Sequence, residues 1–414
     1  MGINLARFHP YNFDVKRVGV IGQGYVGLAV ATAAADAGYF VTGFDTNPEL
    51  IKKLRLGNSH IEDIDDELLQ KLIENSMYRP SNLPEDLHDS DVVIIAVPTP
   101  LSSDRKPDLS YVNLATETII NYIKESALII SESTSYPGTL RKLIAEKINV
   151  ATGISHRYAV APERIDPGNE KWRLDNTPRI VAGLNIQAGK EAVDFYSTFT
   201  DNVKLVSTPE VAEMAKLVEN SFRYVNIAFV NELAQIADGF KVNINEVLEA
   251  AQTKPYGFMR FFPGGGVGGH CIPIDPIYLS HESKKLGMAT PLIDKADEIN
   301  LYMPRYVLTR VLRDHNQNIK GKKVLIVGVS YKADISDTRE TPALAILKLL
   351  KESGANCAWH DPLVETFNGE FSIEIGHQDI AIILNLHQDV EIEKLRNINY
   401  VFDCTGKLTW AHSL

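Results

Sequence analysis

Cysteine is nearly missing from this 414-residue chain: there are three, Cys271, Cys357 and Cys404, odd in number and far apart. No CxxC pair occurs, and the one CxxH, "CAWH" at 357–360, has no second pair beside it, so neither a disulfide framework nor a structural zinc site is indicated. A reducing, cytoplasmic setting is the expectation. Long hydrophobic runs are missing too. The longest, "VVIIAV" and "IAIILNL", have strand length, well under the roughly 20 apolar residues of a membrane span. The opening "MGINLARFHPYNFDVKR" has no apolar stretch of signal-peptide length, and Ala6 stands where a myristoylation motif wants Ser or Thr. An excess of positive charge is also absent, and the net charge of −11 argues against a nucleic-acid surface. What remains is 44% hydrophobic and 23% charged, a soluble balance at a length for two or three domains.

Three textures follow one another. Over residues 1–207, "RVGVIG", "FVTGFD", "DVVIIAV", "ALIISES", "RYAVAPE" and "RIVAG" read as buried parallel strands, because they are continuous rather than alternating runs. Helical patterns such as 25–37 lie between them, which implies a doubly wound α/β domain. Residues 208–318 read as helical, with helices over 209–240, 244–251, 277–286 and 291–314 and no convincing strand. Thr208 is the expected N-cap of the long helix, with Pro209 at its first position. Connecting helices of this kind commonly form subunit contacts, so a homodimer or higher homo-oligomer is expected. Over 319–414, "KKVLIVGVSY", a helical 342–353, "ANCAWHD", "DIAIILNL" and "NYVFDCTG" form a second α/β domain.

"VGVIGQGYVG" places Gly22, Gly24 and Gly27 as GxGxxG between a strand and a helix. In a Rossmann domain the first glycine allows the turn, the second lets backbone approach a pyrophosphate, and the third permits close helix packing. The phosphate sits on the N–H groups of the helix N-terminus, here around Tyr25 and Val26. Asp45 ends the second strand, where an acid binds a ribose 2′-hydroxyl, and no arginine follows in "DTNPEL" to meet a 2′-phosphate. NAD is therefore expected over NADP. The bland alternative is a glycine-tightened turn with no ligand. The first strand of the C-terminal domain ends in Gly328-Val329-Ser330-Tyr331 and lacks the later glycines, so the two α/β domains are expected to hold different ligands.

Polar residues stand where apolar ones would serve a core. "AKLVENSF" puts Lys216 and Asn220 on one face of an otherwise apolar helix; the alternative is a solvated face. Glu163 and Arg164 in "AVAPERIDPGN" follow a strand, at the ligand-binding edge of a parallel sheet; the alternative is a surface ion pair. Thr99 in "VPTP" and Thr134 in "SESTSYPG" end two more strands of that sheet. Finally, "GGGVGGHCIPIDP" sets Cys271 behind a glycine-rich loop and four residues before Asp275. A cysteine there serves as a nucleophile where nearby positive charge favours its thiolate. Cys357 and Cys404 are expected to be small buried hydrophobes. Adjacent side chains diverge, so His270 is not expected to be the base, and one histidine makes no metal site.

Together these stretches resemble the UDP-sugar 6-dehydrogenases, the family that includes UDP-glucose and GDP-mannose dehydrogenases. The match spans nearly the whole chain beyond the first fifteen residues, on "GQGYVG", "VPTPL", "STSYPGT", "APERIDPGN", "AKLVENSFR", "GGVGGHCIPIDP" and "YKADISDTRETP" in the family's order. His270 before the cysteine and "CIPIDP" after it look most like the branch oxidising UDP-N-acetylglucosamine, since the N-acetylmannosamine branch often varies at Pro273. The resemblance implies a four-electron oxidation of a sugar C6 alcohol to a carboxylate with two NAD. Cys271 would hold the aldehyde as a thiohemiacetal and then a thioester, with Gly268 and Gly269 letting the loop press the thiol against the sugar. Lys216 and Asn220 match residues that stabilise the oxyanion, Asp275 one that positions and deprotonates water, Glu163 one in acid–base or water-handling work, and Thr134 one near the reacting carbon. Lys332 fits the lysine near the nucleotide-sugar phosphates, and Arg339 the arginine that reaches the cofactor. The loop holding Phe261, Phe262, Gly264 and Gly265 is expected to close over the substrate, and Arg260 is a candidate for reaching a neighbouring subunit's sugar.

Two rivals stand beside this reading. A one-step β-hydroxyacid dehydrogenase shares a dinucleotide domain and a Lys–Asn helix but needs neither Cys271 nor a second α/β domain. A cofactor-binding scaffold would do no chemistry. Within the family, UDP-N-acetylgalactosamine, UDP-N-acetylmannosamine and UDP-glucose are alternative substrates, separated by one substituent or stereocentre.

Overall fold

The computed structural model describes residues 17–61, 63–166, 168–169 and 171–414. The opening segment, read above as free of a targeting signal, lies up to residue 16 outside the described residues. The chain forms two compact units, Met1–Thr99 with Leu109–Met214 and Pro100–Asp108 with Ala215–Leu414.

In the first unit, β1 (Arg17–Ile21), β2 (Phe40–Phe44), β3 (Tyr78–Ser81), β4 (Val92–Ile95), β5 (Leu128–Ser131), β6 (Arg157–Val160), β7 (Arg179–Gly183) and β8 (Val203–Leu205) build one sheet. Its order is β3-β2-β1-β4-β5-β6-β7-β8. Helices α1 (Tyr25–Asp36), α2 (Pro48–Arg55), α3 (Asp66–Glu74), α4 (Ser110–Tyr122), α5 (Glu146–Thr152) and α6 (Ile186–Tyr196) connect the strands. β4 and β5 are buried along their whole length, which is why they carry no alternation. The strand order reverses between β1 and β4, and that switch point is where a doubly wound sheet binds its ligand.

One expectation is corrected: β7 runs antiparallel to β6, with Ala159 opposite Gly183. A parallel return needs a crossover, usually a helix, and among its described residues the 161–178 connection has none. Two strands of this sheet were also absent from the sequence reading. β3, "YRPS", is a proline-bearing sheet edge, where a missing N–H costs no ladder bond. β8 has three residues and closes the other edge.

Helix α7 (Pro209–Phe240) starts in the first unit and continues into the second. Thr208 Oγ1 accepts from Val211 N at 3.3 Å, the cap expected of it. The second unit then runs through α8 (Ile244–Gln252), α9 (Asp275–Lys285), α10 (Pro291–Asp314), β9 (Lys323–Val327), α11 (Pro342–Glu352) and β10 (Asn356–His360). It ends in the hairpin β11 (Thr366–Phe367) and β12 (Glu370–Phe371), then β13 (Ile380–Ile383), α12 (Ile392–Leu395), β14 (Tyr400–Asp403) and β15 (His412–Ser413). The five-stranded sheet β10-β9-β13-β14-β15 is parallel throughout. Val230 and Ala234 of α7, Val307 and Val311 of α10, Ile346 of α11 and Phe402 of β14 belong to one core, so the helical segment and the C-terminal sheet are stabilised together. Among the described residues, no helix is long and apolar enough to cross a membrane.

Candidate active site

The loop after β1 is shaped for a pyrophosphate. Gly22 has φ +93°, and a Cβ on it would lie 2.5 Å from the Ala96 carbonyl oxygen. A Cβ on Gly27 would lie 1.9 Å from the Gly22 oxygen, so α1 could not pack so close with any larger residue. Gly24 has nothing within 4 Å of where its Cβ would be: the open side of the loop is where a phosphate can approach. Gly24 caps α1 without a side-chain bond, and the first turn, with Tyr25 and Val26, carries no acid. Its N–H groups and dipole therefore favour an anion. Asp45 Oδ2 accepts from Gln23 N at 2.8 Å, tying the ribose-binding position to the loop. Gln23, which the sequence reading passed over, is fully buried and braced by Tyr78, whose hydroxyl donates to Oε1 at 2.7 Å. The residues fit NAD, which supplies a hydride acceptor when bound.

Thr99 and Thr134 follow β4 and β5 at the same C-terminal edge. Ser133 braces their loops, its Oγ accepting from Val97 N at 2.9 Å and donating to Val97 O at 2.7 Å. Glu163 follows β6 at that edge and is buried, with backbone amides on one carboxylate oxygen and a guanidinium distant in sequence on the other. Oε1 accepts from Arg164 N at 2.5 Å and Ile165 N at 2.8 Å, while Arg179 Nη2 donates to Oε2. Arg179, also buried, pairs with Glu132 at 3.0 Å and lies over the Tyr196 ring. Burial foremost pushes the Glu132 carboxyl up to about 7 against the pull of Arg179. Arg164 Nη1 donates to Pro178 O at 2.7 Å. The Glu163–Arg179 ion pair is buried and sixteen residues apart, with no local motif to announce it.

In the second unit four sequence-predicted residues converge. Lys216 and Asn220, one turn apart on α7, are both buried. Asn220 Nδ2 donates to Asp275 Oδ2 at 2.5 Å. The Cys271 carbonyl accepts from Ile274 N and from Asp275 N at 2.9 Å, starting α9 and placing Asp275 one turn beyond the thiol. Burial pushes the Cys271 thiol up to about 12, aided by Asp275 and opposed by Lys216 and Arg339. Nearby cations are present, but burial outweighs them. Burial likewise pushes the Asp275 carboxyl up to about 6, while Lys216 and the Asn220 amide hold it down. By exposed surface Cys271 and Cys357 are each half-buried, whereas Cys404 is buried as expected.

The glycines before Cys271 also make a close contact that the sequence does not announce. Cβ atoms on Gly268 and Gly269 would lie 2.7 and 2.9 Å from Tyr331 side-chain atoms, and Gly269 N donates to Arg339 O at 3.0 Å. These residues press the loop onto the 331–341 segment. Asp337 holds the Arg339 guanidinium through Nε at 3.0 Å and Nη2 at 2.6 Å, next to His270. His270 Nδ1 is buried without a hydrogen-bond partner among the described residues. Burial foremost, then Arg339, pushes its imidazole down to about 4. Lys332 is half-buried in the same segment.

Upstream, the loop is pinned. Gly264 N donates to Asn231 Oδ1 at 3.0 Å, and a Cβ on Gly265 would lie 2.9 Å from Leu384 Cδ2. Phe261 packs on the core and edge-on to Phe222. Phe262 is exposed beneath the Arg260 guanidinium, and Arg260 Nη1 donates to Gln252 at 3.2 Å. Among the described residues no cluster of His, Cys, Asp and Glu could hold a metal ion.

A Rossmann unit with NAD-shaped glycines, and a second α/β unit carrying a cysteine among a lysine, an amide and a carboxylate, define a nucleotide-sugar oxidoreductase. The chain belongs to the UDP-glucose/GDP-mannose dehydrogenase family: its NAD binding domain matches residues 16–200, its central domain 210–302 and its UDP binding domain 325–405. The UDP-N-acetyl-D-mannosamine dehydrogenase of Methanococcus maripaludis is 35% identical over 91% of this chain and 87% of its own. Protein CapL of Staphylococcus aureus is 33% identical over 94% of each. The solved UDP-D-ManNAc dehydrogenase of Pyrococcus horikoshii superposes with a TM-score of 0.85 at 34% identity, covering 94% of both chains. The protein is an NAD-dependent UDP-sugar dehydrogenase, so the non-enzymatic scaffold reading falls.

Proposed function

We propose that this enzyme oxidises the C6 alcohol of a UDP-N-acetylhexosamine to the carboxylate, in two hydride transfers with Cys271 holding the intermediate. The observation that carries the reading is the convergence of Lys216, Asn220 and Asp275 on Cys271. Bound NAD supplies the hydride acceptor, twice per sugar. After the first oxidation the Cys271 sulfur bonds to the aldehyde carbon, and the proton leaving sulfur is matched by one arriving on oxygen. The Lys216 ammonium and the Asn220 amide would stabilise the oxygen charge while it lasts. Loss of the second hydride and of the hydroxyl proton gives a thioester. Water then adds to its carbonyl, the carbon–sulfur bond breaks, and the proton returns to Cys271. Asp275, one turn beyond Cys271 and ionised above about pH 6, would accept the water's proton. Glu163 and Thr134 would handle water and the reacting carbon, with Thr99, Arg164, Lys332, Arg339 and Arg260 holding cofactor and substrate.

Relatives named for N-acetylmannosamine favour that sugar. Pro273 after His270 and Cys271 favours N-acetylglucosamine as the second reading. The product would feed a surface polysaccharide from the cytoplasm, and the enzyme would work as a homodimer. The test is NADH yield per molecule of limiting UDP-N-acetylmannosamine, UDP-N-acetylglucosamine, UDP-N-acetylgalactosamine and UDP-glucose. Two NADH per N-acetylated sugar is the expected result. One per sugar would remove the role of Cys271, and turnover of UDP-glucose alone would remove the N-acetyl reading.

A further inference from the structure

The two α/β units share a backbone device and use it differently. After β1, Gly22 turns with positive φ, and the next amide, Gln23 N, donates to Asp45 Oδ2 at the end of β2. After β9, Gly328 turns with φ +78°, and the next amide, Val329 N, donates at 2.8 Å to Asp361 Oδ2 at the end of β10. Each aspartate also takes the amide two residues on, Asn47 N at 2.9 Å and Leu363 N at 3.0 Å. The difference lies in what faces the carboxylate. Asp45 is partly open, as a ribose partner must be, whereas Asp361 is 2% exposed and accepts His387 Nε2 at 3.0 Å. A buried carboxylate so occupied can take no ribose.

His387 reaches in the other direction as well. Its Nδ1 accepts from Asp334 N at 2.9 Å, which fixes the tautomer with the proton on Nε2. The Ser330 hydroxyl lies 3.2 Å from Nε2 and holds the Lys332 carbonyl at 2.8 Å. Asp334 sits in the left-handed region at φ +62°, a conformation that non-glycine residues keep only when surroundings impose it. The neighbours of His387 complete the grip: Asn385 Nδ2 donates to Ser330 O and Gln388 N to Asp334 Oδ1.

We propose that His387 is a positioning residue for UDP binding: paired with Asp361, it holds the 330–334 turn in the shape that presents Lys332 to the diphosphate. The inference depends on the C-terminal domain binding the UDP end of the substrate, as in the proposed function. It adds that the histidine which closed the dinucleotide-type site is what built the new one.

Two variants separate its two bonds. His387→Asn keeps an acceptor near Nδ1 for Asp334 N and gives up Asp361, while His387→Gln keeps a donor for Asp361 and gives up Asp334 N. UDP and NAD binding are measured by calorimetry on the full-length protein, with kcat and KM for the sugar nucleotide alongside. The expected result is UDP affinity about tenfold weaker in His387→Gln and less affected in His387→Asn. KM for the sugar should rise in step, with NAD affinity unchanged and kcat within about threefold. A purely structural histidine would lower the melting temperature of both variants alike and leave UDP affinity within twofold of wild type, which would overturn the inference. A wild-type protein that binds no UDP would overturn the underlying reading with it, a result distinct from wild-type binding that the variants leave intact.

Discussion

Asn220 gives an amide hydrogen to the carboxylate of Asp275, fifty-five residues further along the chain. The bond joins α7 to the first turn of α9 and places a buried acid one turn from Cys271. Burial raises this acid to about 6, and Asn220 is one of two groups restraining it. Replacing Asn220 with Ala removes a donor to the charged form, so the acid rises further. The acidic limb of the kcat/KM profile should move to higher pH in that variant. An unmoved limb would show that Asp275 does not govern it.

The same shift has a stability consequence. A carboxyl raised from 3.8 to about 6 on folding binds its proton more tightly in the native state. Its stabilising contribution is present in full below about pH 4 and is lost as pH rises through about 6, a change of about 3 kcal/mol. Asp275→Asn escapes that loss. The variant should melt above wild type at pH 8, lose the advantage near pH 4, and have almost no turnover. Thermal melts at both pH values check the first two outcomes, and a variant that melts below wild type at pH 8 would refute the penalty.

Cys271 separates a two-electron from a four-electron enzyme. Cys271→Ala leaves Lys216, Asn220 and the cofactor loop in place but has no sulfur to hold the aldehyde. Such a protein should release at most one NADH per sugar, at a rate reduced about a thousandfold or more overall. Two NADH per sugar from this variant would mean that the aldehyde is oxidised as its hydrate.

The parts of this molecule written in contiguous residues were legible before the structure: the glycine fingerprint with Asp45, the Thr208–Pro209 helix start, and the strand runs around β1, β4, β5 and β9. So was the Lys216, Asn220, Cys271 and Asp275 set, though only the fold shows Asn220 bonded to Asp275. What stayed hidden depends on pairing across distance. An apolar "RIVAG" reads the same whichever way β7 runs. Glu163 shows nothing of Arg179, and Gly268 and Gly269 show nothing of Tyr331, because each partner is recruited by topology. The raised Cys271 thiol was hidden for a related reason: sequence shows which charges are near but not how much water is excluded.

Gly24 and Gly27 should fail in different ways. A methyl group at Gly24 meets nothing within 4 Å, while one at Gly27 would lie 1.9 Å from the Gly22 oxygen. Gly24→Ala should therefore fold with a nearly unchanged melting temperature and bind NAD about tenfold or more weakly, since the lost space is where the phosphate approaches. Gly27→Ala should lose stability by roughly 1–3 kcal/mol, as overpacking does, along with NAD affinity. Equal losses of stability in the two variants would refute the division of roles.

Helix α7 leaves Val218, Phe222, Phe229 and Ile236 about half exposed at near-heptad spacing. An apolar stripe of that length is what a helix that packs on a second copy would present. Light scattering on the purified enzyme should give a dimer mass. Phe229→Asp with Ile236→Asp should give a monomer, and a wild-type monomer would refute the assignment.

Arg179 stands between two buried carboxylates, Glu132 and Glu163. Removing a cation from such a pair leaves buried charge uncompensated, at a cost of about 3–5 kcal/mol. Arg179→Met should accordingly be strongly destabilised at pH 8. Protonation relieves the repulsion, so the deficit should shrink at pH 5. Adding Glu132→Gln to Arg179→Met removes one of the two charges and should recover part of the loss, whereas Arg179→Lys should retain most of the stability. A deficit that is the same at pH 5 and pH 8 would mean that Arg179 contributes packing on Tyr196 rather than charge, and Glu163 would then owe its place to the Arg164 and Ile165 amides.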